Sequence, residues 1–365
     1  MPSVGRNCRD MKKITMFMAA VAVLAACAKV NPDPVPEPVP PSPPVPDPEL
    51  VYPAPEPDED SFVRAAYFPY YGSFDAGSFP DSMFRYIDVA FYAFAQLQDD
   101  YTVKLGSASV ASTVVDRCHR NNVKVVLSFA GSWLDKRFTT LSCSAELTNR
   151  FVNSLMKIVN EYGFDGVDND WEYPSSKDGS QRGNLLLMRQ LSNELHAPGV
   201  GKTLSMAITP GIYEGAYTAG LDHGVFDCCD WFGSMVYDDD QPHSPYSMME
   251  KSFQFWVEKN KMPLKKFIGG IPCYGRGSRS ENKWDKSKSF RNLVLNYGAD
   301  PDADEVVTDG YVTNYNGRKT VEKKVQFLLS KNAGGYFFWE ADQDMKDERS
   351  LLRTASATVD SSKPE

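Results

Sequence analysis

Short apolar runs alternate with amphipathic stretches from Ser61 to near the carboxyl terminus. The amphipathic stretches, such as Ala145–Tyr162 and Gln181–His196, place apolar residues at intervals of three and four, which predicts helices. Gly163 and the Pro198-Gly199 pair end these two helices. The apolar runs predict eight strands: Val63–Tyr71, Ile87–Gln96, Val123–Gly131, Phe164–Tyr173, Thr203–Pro210, Trp231–Asp238, Phe267–Tyr274 and Gly335–Ala341. This alternation indicates βα units and a parallel sheet.

The number of βα units predicts the fold. Eight units in about 300 residues are typical of a (β/α)8 TIM barrel, in the α/β class. A doubly wound open sheet is the alternative, but it usually has fewer strands and a glycine-rich phosphate loop, which we do not find. The roughly 60 residues between Tyr274 and Gly334 must hold the seventh helix, predicted at Val321–Lys331. They leave too little room for a large α+β insertion.

The amino-terminal residues have the composition of an export signal. Lys12-Lys13 precede an apolar run too short to span a bilayer, which predicts a signal peptide over residues 1–26. The run ends in Leu24-Ala25-Ala26-Cys27, which resembles the bacterial lipobox. We therefore expect lipidation of Cys27, export and anchoring to a bacterial membrane, with the outer membrane favoured; an ordinary secreted protein is the alternative. Translation could start at Met1 or Met11.

Residues 27–60 differ from everything after them. Thirteen of the 25 prolines lie between Pro32 and Pro57, and residues 27–60 contain eight acids with Lys29 as the single base. Proline fixes φ and removes a backbone donor, so this composition predicts an extended linker. We favour a plain spacer over a ligand for an SH3-type domain. The barrel domain then covers residues 61–365.

The formal net charge of −9 disfavours phosphate backbones as partners, so we exclude nucleic-acid binding. The charge is unevenly distributed: residues 1–26 carry +3, residues 27–60 carry −7, and the remaining residues carry −5. Most of the acidity therefore belongs to the linker, and the weakly charged barrel is compatible with a neutral polysaccharide.

Cysteine and histidine usage gives no sign of a metal centre. Five cysteines follow Cys27, an odd number, and the four histidines are scattered among different predicted elements. No pair of cysteines has metal-ligand spacing with histidine nearby. We therefore expect neither a zinc site nor a cofactor, and we expect a monomer.

Candidate chemistry is concentrated at the end of the fourth predicted strand. Side chains alternate faces along a strand, so Asp168, Asp170 and Glu172 point the same way, into the barrel mouth. Repulsion and partial burial should keep at least one of the three carboxyl groups protonated near neutral pH. A general acid beside a carboxylate is what glycoside hydrolysis requires. A calcium loop is the competing interpretation, but Tyr173 stands where an EF-hand needs glycine.

These residues resemble glycoside hydrolase family 18, the chitinases and their relatives. The family signature DxxDxDxE is complete as Asp165, Asp168, Asp170 and Glu172. Five further segments are similar to the family's other strands; they are Ala66-Tyr67-Phe68, Tyr92–Ala95, Val126–Gly131, Ser234–Asp238 and Gly334–Trp339. The resemblance covers residues 62–355. Asn169 departs from the family pattern, which has an apolar residue at this outward position.

The resemblance implies a mechanism in which the substrate's own 2-acetamido oxygen attacks the anomeric carbon. Glu172 would protonate the glycosidic oxygen, Asp170 would orient the acetamido group, and Tyr237 would donate a hydrogen bond to it. Asp168, Ser128 and Asp165 would support Asp170 from behind. The implied substrate-binding residues are Trp339, Met235, Tyr67, Asp238, Tyr92 and Trp133.

Three functions are compatible with this resemblance. The first is endo-acting hydrolysis of β-1,4-linked N-acetylglucosamine, as in chitin, in a groove left shallow by the missing insertion. The second is an endo-β-N-acetylglucosaminidase acting on N-glycan cores. The third is a surface lectin that binds glycans without cleaving them, which the presence of both Glu172 and Asp170 disfavours.

Overall fold

The computed structural model describes residues 47–72, 78–132 and 135–362. Its centre is a ring of eight parallel strands, closed because the first strand pairs with both the second and the last. The strands are β1 (Val63–Pro69), β2 (Val89–Leu97), β3 (Val103–Leu105), β4 (Lys124–Ser132), β5 (Gly166–Glu172), β6 (Thr203–Ile208), β7 (Trp231–Ser234), β8 (Phe267–Pro272), β9 (Tyr274–Gly275), β10 (Lys288–Ser289), β11 (Glu305–Thr308), β12 (Tyr311–Asn314) and β13 (Gly335–Trp339). β3 and β9–β12 lie outside the ring. The predicted TIM barrel is confirmed.

Helices separate the barrel strands along the chain. They are α1 (Ala108–Arg120), α2 (Arg137–Ser142), α3 (Ala145–Tyr162), α4 (Ser180–Leu195), α5 (Tyr246–Phe253), which continues as a π-helical turn (Gln254–Lys259), α6 (Phe290–Asn296), α7 (Arg318–Ser330) and α8 (Leu351–Ser361). Short 3-10 helices occupy Asp81–Tyr86, His223–Asp227, Leu264–Lys266 and Ala341–Gln343. No helix in the described ranges is long and apolar enough to cross a membrane.

The third helix shows how the sequence sets these boundaries. Ser144 caps α3 by accepting a hydrogen bond from the Leu147 amide, and Gly163 ends the helix in the left-handed region at φ 75°. One face of α3, including Phe151, Leu155 and Val159, is buried. The chain then enters β5, so this capped helix fixes where the strand with the three carboxylates begins.

Several predicted strands extend further than the sheet does. The sixth predicted strand ran to Asp238, but β7 ends at Ser234. Met235 keeps one hydrogen bond to Ile208, while the amide groups of Val236 and Tyr237 turn back to Ser234 and Met235. Side chains after Ser234 therefore leave the sheet and reach the barrel mouth. Periodicity cannot separate such residues from the strand because the apolar alternation continues through them.

Two apolar cores position the site. A large core lies between the strands and the surrounding helices, and a smaller one fills the barrel interior with residues such as Tyr67, Phe91 and Phe337. Gly270 is required in the interior because a Cβ there would lie 2.7 Å from the Phe337 ring and 2.8 Å from the Tyr237 ring. The interior core lies beneath the functional side chains and supports them.

The segment between β8 and α7 is small, as predicted, but it is folded. It contains the antiparallel pair β9–β10, helix α6 and the antiparallel pair β11–β12. An isolated bridge between Arg276 and Asn314 ties the start of the segment to its end. This segment brings Arg276 and Tyr274 to the barrel mouth.

The end of the predicted linker is held against the barrel. Residues 27–46 lie outside the described residues, whereas residues 47–60 have no regular secondary structure. The Asn193 side chain accepts hydrogen bonds from the amides of Val51 (2.7 Å) and Tyr52 (3.0 Å), and Ser192 donates to the Tyr52 carbonyl (2.7 Å). Both residues are on α4, so this part of the segment is docked on one helix.

Asn169 also connects the barrel to α4. It is buried on the outer face of β5, where its Nδ2 donates to Oδ1 of Asn184 at 3.0 Å, and its Oδ1 accepts from the Trp171 amide at 3.0 Å. A buried amide without partners would destabilise the fold. Asn169 stands where the family pattern has an apolar residue, and Asn184 on α4 compensates for this polar side chain.

Candidate active site

A cavity of about 720 Å³ opens at the carboxyl ends of the barrel strands, where TIM-barrel active sites lie. Asp170 and Glu172 from β5 line it together with Tyr237 and Asp238, which follow β7. Trp339, at the end of β13, lines it from another side. With Tyr67 and Met235, which also line the cavity, the structure brings together seven of the residues that the sequence singled out.

Asp168 is the innermost carboxylate of the row. It is buried and accepts hydrogen bonds from the hydroxyl groups of Tyr67 (2.7 Å), Ser128 (2.7 Å) and Ser205 (2.6 Å). Burial raises its pKa, and the three hydroxyl donors oppose that rise. Ser128 and Ser205 are the residues paired with Asp168 on the two neighbouring strands, so barrel register places these donors.

Asp170 is buried beside the cavity with one oxygen unpaired. It is 7% exposed, and its Oδ1 has no hydrogen-bond partner within the described ranges. Burial raises the pKa of Asp170 well above its usual value, and the nearby charges of Glu172 and Asp168 raise it further. An unpaired buried carboxyl oxygen is costly. This geometry leaves a polar position that a ligand in the cavity can fill.

Glu172 is the outermost carboxyl group of the row. Successive inward side chains on a strand are roughly 6.5 Å apart, so Glu172 follows Asp170 toward the cavity mouth. Burial raises its pKa, a hydrogen bond from the Tyr173 side chain lowers it, and the charge of Asp238 raises it. The net rise favours a protonated carboxyl group at higher pH than a free glutamic acid would allow, which is the property of a general acid.

Tyr237 and Asp238 follow β7, which is separated from the carboxylate-bearing β5 by one strand of the ring. Burial raises the pKa of Tyr237 well above its usual value, so its hydroxyl group stays a donor. Asp238 has φ 67° and receives hydrogen bonds from Tyr274 (2.7 Å) and from Arg276 Nη2 (2.9 Å). Burial alone would raise the pKa of Asp238, but the neighbouring His243 ring, whose Nδ1 lies 3.8 Å away, and hydrogen bonds from Arg276 and Tyr274 lower it to about 2. Asp238 is therefore a permanent anion in the wall of the cavity.

Aromatic rings form the floor of the cavity. The Trp339 ring contacts Tyr67 (centroids 5.2 Å apart) and stacks on Phe94 (5.8 Å, 21° between planes). Met235 also lines the cavity. A flat apolar floor beside carboxyl groups suits a pyranose ring, which has an apolar face and a polar rim.

Two of the predicted site residues lie elsewhere. Tyr92 is fully buried in the outer core, where its hydroxyl group donates to the Ser107 carbonyl at 2.8 Å, so it does not reach the cavity. Asp165 precedes β5 at the opposite end of the barrel, where it contacts His119 (2.8 Å) and accepts from the Val125 amide (2.7 Å). Trp133 and Cys27 lie outside the described residues.

The sequence reasoning missed several residues of the site. Phe94 lines the cavity, which Tyr92 does not, Ser205 supplies the third donor to Asp168, and Arg276 pairs with Asp238. Phe94 lies at the register shift between Ala93 and Ala95 in the pairing of β2 with β4, and alternation alone does not show this irregularity. In the described part of the chain, no group of three His, Cys, Asp or Glu side chains is arranged to hold a metal ion.

The fold and the site together define a class. A TIM barrel with a row of buried carboxyl groups above an aromatic floor, at the carboxyl ends of its strands, has the architecture of a glycoside hydrolase. Residues 63–344 match the family model described as glycosyl hydrolases family 18. The chain therefore belongs to that family.

Named relatives of this chain are chitinases. It is 27% identical over 277 residues to endochitinase 1 of Metarhizium robertsii, covering 64% of this chain and 65% of that protein. It is 25% identical over 343 residues to a class V chitinase of Arabidopsis thaliana, covering 82% of this chain and 90% of that protein. The chain thus spans less than two thirds of the fungal enzyme.

Solved chitinase structures share the fold. The GH18 chitinase ChiB of Flavobacterium johnsoniae superposes with a TM-score of 0.68 at 22% identity, covering 82% of this chain and 94% of that chain. A chitinase of Bacteroides thetaiotaomicron gives a TM-score of 0.69 at 21% identity, with coverages of 82% and 96%.

Proposed function

We propose that the protein is an endo-acting glycoside hydrolase that cleaves β-1,4-linked N-acetylglucosamine with retention of configuration, using the substrate's acetamido group as the nucleophile. The observation that carries this proposal is the unpaired Oδ1 of Asp170, buried beside the cavity that Glu172 and Trp339 line. A 2-acetamido N–H is a donor that can pair with this oxygen. A sugar without that group would leave the oxygen buried and unpaired.

Glu172 acts as the acid in this scheme. Its carboxyl group donates a proton to the glycosidic oxygen, and the bond from that oxygen to the anomeric carbon breaks. The acetamido oxygen bonds to the same carbon and forms an oxazolinium ion. Glu172, now ionised, removes a proton from the water that opens this ring. Support comes from the raised pKa of Glu172, which keeps the acid protonated.

Asp170 and Tyr237 align the acetamido group. Asp170 holds its N–H and, when ionised, stabilises the positive charge that develops on the ring. Tyr237 donates to the acetamido oxygen and directs it toward the anomeric carbon. The fixed positions of both side chains reduce the entropy cost of the attack. In addition to burial, the charges of Glu172 and, more weakly, of Asp168 both raise the pKa of Asp170, so one proton can be shared along the row.

Chitin or chito-oligosaccharides are the proposed substrate. Support comes from the relatives, whose names describe them as chitinases. Endo action is supported by the small size of the segment between β8 and α7, of which Tyr274 and Arg279 line the cavity.

The test is Glu172→Gln, which keeps the shape of the side chain and removes the acid. Hydrolysis of chito-oligosaccharides should be lost, whereas their binding, followed by tryptophan fluorescence, should survive. Glu161→Gln, at an exposed position on α3, is the matched control. Unchanged turnover in Glu172→Gln would contradict the mechanism.

Substrate choice requires a separate assay. The purified protein is incubated with chito-oligosaccharides and, separately, with a high-mannose glycoprotein. Release of chitobiose or longer products supports the proposal. Release of intact N-glycans without chitin cleavage would assign the N-glycan activity instead, and binding of either glycan without cleavage would assign a lectin.

We also propose that the protein is exported, lipid-anchored through Cys27 and monomeric. The support is the basic and apolar sequence before Leu24–Cys27 and the proline-rich residues after it. Metabolic labelling with a radioactive fatty acid should mark the wild-type protein but not Cys27→Ala, and light scattering of the delipidated protein should give the mass of one chain. Equal labelling of both forms would refute the anchor.

A further inference from the structure

Lys324 is a buried lysine outside the cavity. It lies on α7 with no exposed surface, and within the described ranges it forms no ion pair with a carboxylate. Its Nζ donates to the Ser244 carbonyl (2.9 Å), to Ser244 Oγ (2.7 Å) and to Asn316 Oδ1 (2.7 Å). An ammonium group has three N–H donors, so all three are used.

Of the two residues that accept hydrogen bonds from Lys324, Ser244 belongs to the chain segment that carries Tyr237, and Asn316 lies between β12 and α7. Ser244 Oγ donates onward to the Val236 carbonyl at 2.5 Å, and Asn316 Nδ2 donates to the Ser244 carbonyl at 2.9 Å. We call residues 236–244 the Tyr237 loop. The hydrogen bond from Ser244 to Val236 joins the two ends of this loop. Asp239 and His243 form the next backbone hydrogen bond inside the loop, at 3.0 Å.

The surroundings of Lys324 are polar but hold little compensating charge. His243 is buried against the Tyr274 ring, with Nδ1 3.8 Å from Asp238 Oδ1. Asp304 is the carboxylate that attracts Lys324 from the segment before α7, and it is itself exposed and bonded to Thr320. A fully buried cation without a close counterion is unusual and costly.

We propose that Lys324 is a positioning residue, whose ammonium group binds Ser244 and Asn316 and thereby holds the Tyr237 loop where Tyr237 and Asp238 line the cavity. The consequence for catalysis rests on the function proposed above. The order of the loop does not, because it can be measured without any substrate.

The charge state of Lys324 gives this role a pH dependence. Burial lowers its pKa to about 7, against a smaller opposite effect of Asp304. The neutral amine has two donors for three acceptors, so one contact is lost as pH rises through this value. The facing groups stay constant in that range: the pKa of Asp238 is about 2, burial lowers that of His243, and pairing with Asp238 raises that of Arg276 despite burial.

Hydrogen exchange of the full chain tests the proposal directly. Exchange of peptides covering residues 236–244 is followed by mass spectrometry from about pH 6 to about pH 9 and corrected for intrinsic rates. In the wild type, protection of the loop should fall about ten-fold around pH 7, the effect of losing about one hydrogen bond. In Lys324→Met, protection should be low at every pH. Lys319→Met, at an exposed position on the same helix, is the matched control and should resemble the wild type.

Asn316→Asp provides the decisive variant. It places a carboxylate where Oδ1 now accepts from Lys324, which should raise the lysine's pKa and move the midpoint of the exchange change upward by at least about one pH unit. A midpoint that stays in place would overturn the proposal. So would unchanged loop protection in Lys324→Met, or a loss of protection spread equally over all barrel strands, which would indicate a general structural role.

Activity provides the second measurement. On a chito-oligosaccharide, kcat/KM of Lys324→Met should fall about 10- to 100-fold, the scale of a small misplacement of aligning groups. If the wild type cleaves no such substrate, the proposed function fails while the exchange result still decides the role of Lys324. Full activity in a Lys324→Met protein with a disordered loop would overturn the catalytic consequence.

Discussion

Removing the Ser205 hydroxyl group tests the electrostatics of the carboxylate row. Ser205→Ala deletes the donor 2.6 Å from Asp168 Oδ1 and leaves Tyr67 and Ser128 in place. A hydrogen bond to a charged group contributes about 1.5–3 kcal/mol to stability, and one between neutral groups about 1 kcal/mol. The cost of the substitution therefore depends on whether Asp168 is ionised.

The direction of the pH effect follows from the raised pKa of Asp168. The folded protein binds this proton more tightly than the unfolded chain, so the contribution of Asp168 to stability falls as pH rises through the folded-state pKa. Ser205→Ala removes a donor that favours the ionised form, which raises that pKa further. The destabilisation by Ser205→Ala should grow from about 1 kcal/mol in acid to about 2–3 kcal/mol once Asp168 is ionised.

Urea unfolding of both proteins, from about pH 4 to about pH 8, measures this difference. Ser234→Ala is the matched control, because Ser234 is buried on a neighbouring barrel strand and its hydroxyl group contacts that of Ser252 at 2.7 Å, not a carboxylate. Its cost should be the same at every pH. A pH-independent cost for Ser205→Ala would refute the reasoning.

Three further predictions concern the cavity and the docked segment. Tyr173→Phe removes a hydroxyl group that lowers the pKa of Glu172. The acid should then stay protonated to higher pH, so the alkaline limb of the pH profile of kcat/KM should move up by about one pH unit. A downward shift would contradict this. Tyr92→Phe should lower the free energy of unfolding in urea by about 1 kcal/mol and leave KM unchanged. Phe94→Ala should raise KM several-fold, because Phe94 stacks on Trp339. The reverse pattern would show that Tyr92, not Phe94, belongs to the substrate site. Asn193→Ala removes the side-chain oxygen that accepts hydrogen bonds from the amides of Val51 and Tyr52. Limited proteolysis within residues 47–60 should become faster, with kcat unchanged. Equal cleavage rates in variant and wild type would show that the docking of this segment does not depend on Asn193.

The fold was predictable because most barrel strands are short apolar runs, and several of them are followed by a helix with its own end signal. Ser144 caps the beginning of α3 and Gly163 ends it, and both are local signals in the sequence. The row Asp168, Asp170 and Glu172 was predictable for the same reason, since alternation within one strand requires no knowledge of its neighbours.

The misassigned residues depend on relations between strands or on irregular backbone. Asp165 is an odd number of residues from Asp168 and precedes the strand, so its membership of the same motif did not place it on the same face. Phe94 reaches the cavity through a register irregularity. Ser205 is a donor only because it is paired with Asp168 across β5 and β6, and register between strands is not encoded in either strand alone.

The asparagine pair between β5 and α4 has a consequence for the assembly of the barrel. Apolar contacts tolerate small displacements, whereas an amide pair is satisfied in one alignment only. If α4 slid by one residue along the strand, Asn169 and Asn184 would both be left buried without each other, at roughly 1–3 kcal/mol for each group. The amide pair therefore fixes the position of α4 along β5. Because Asn169 and Glu172 lie on the same strand, the pair also fixes how far Glu172 extends into the barrel mouth, from the face of β5 that points away from the cavity.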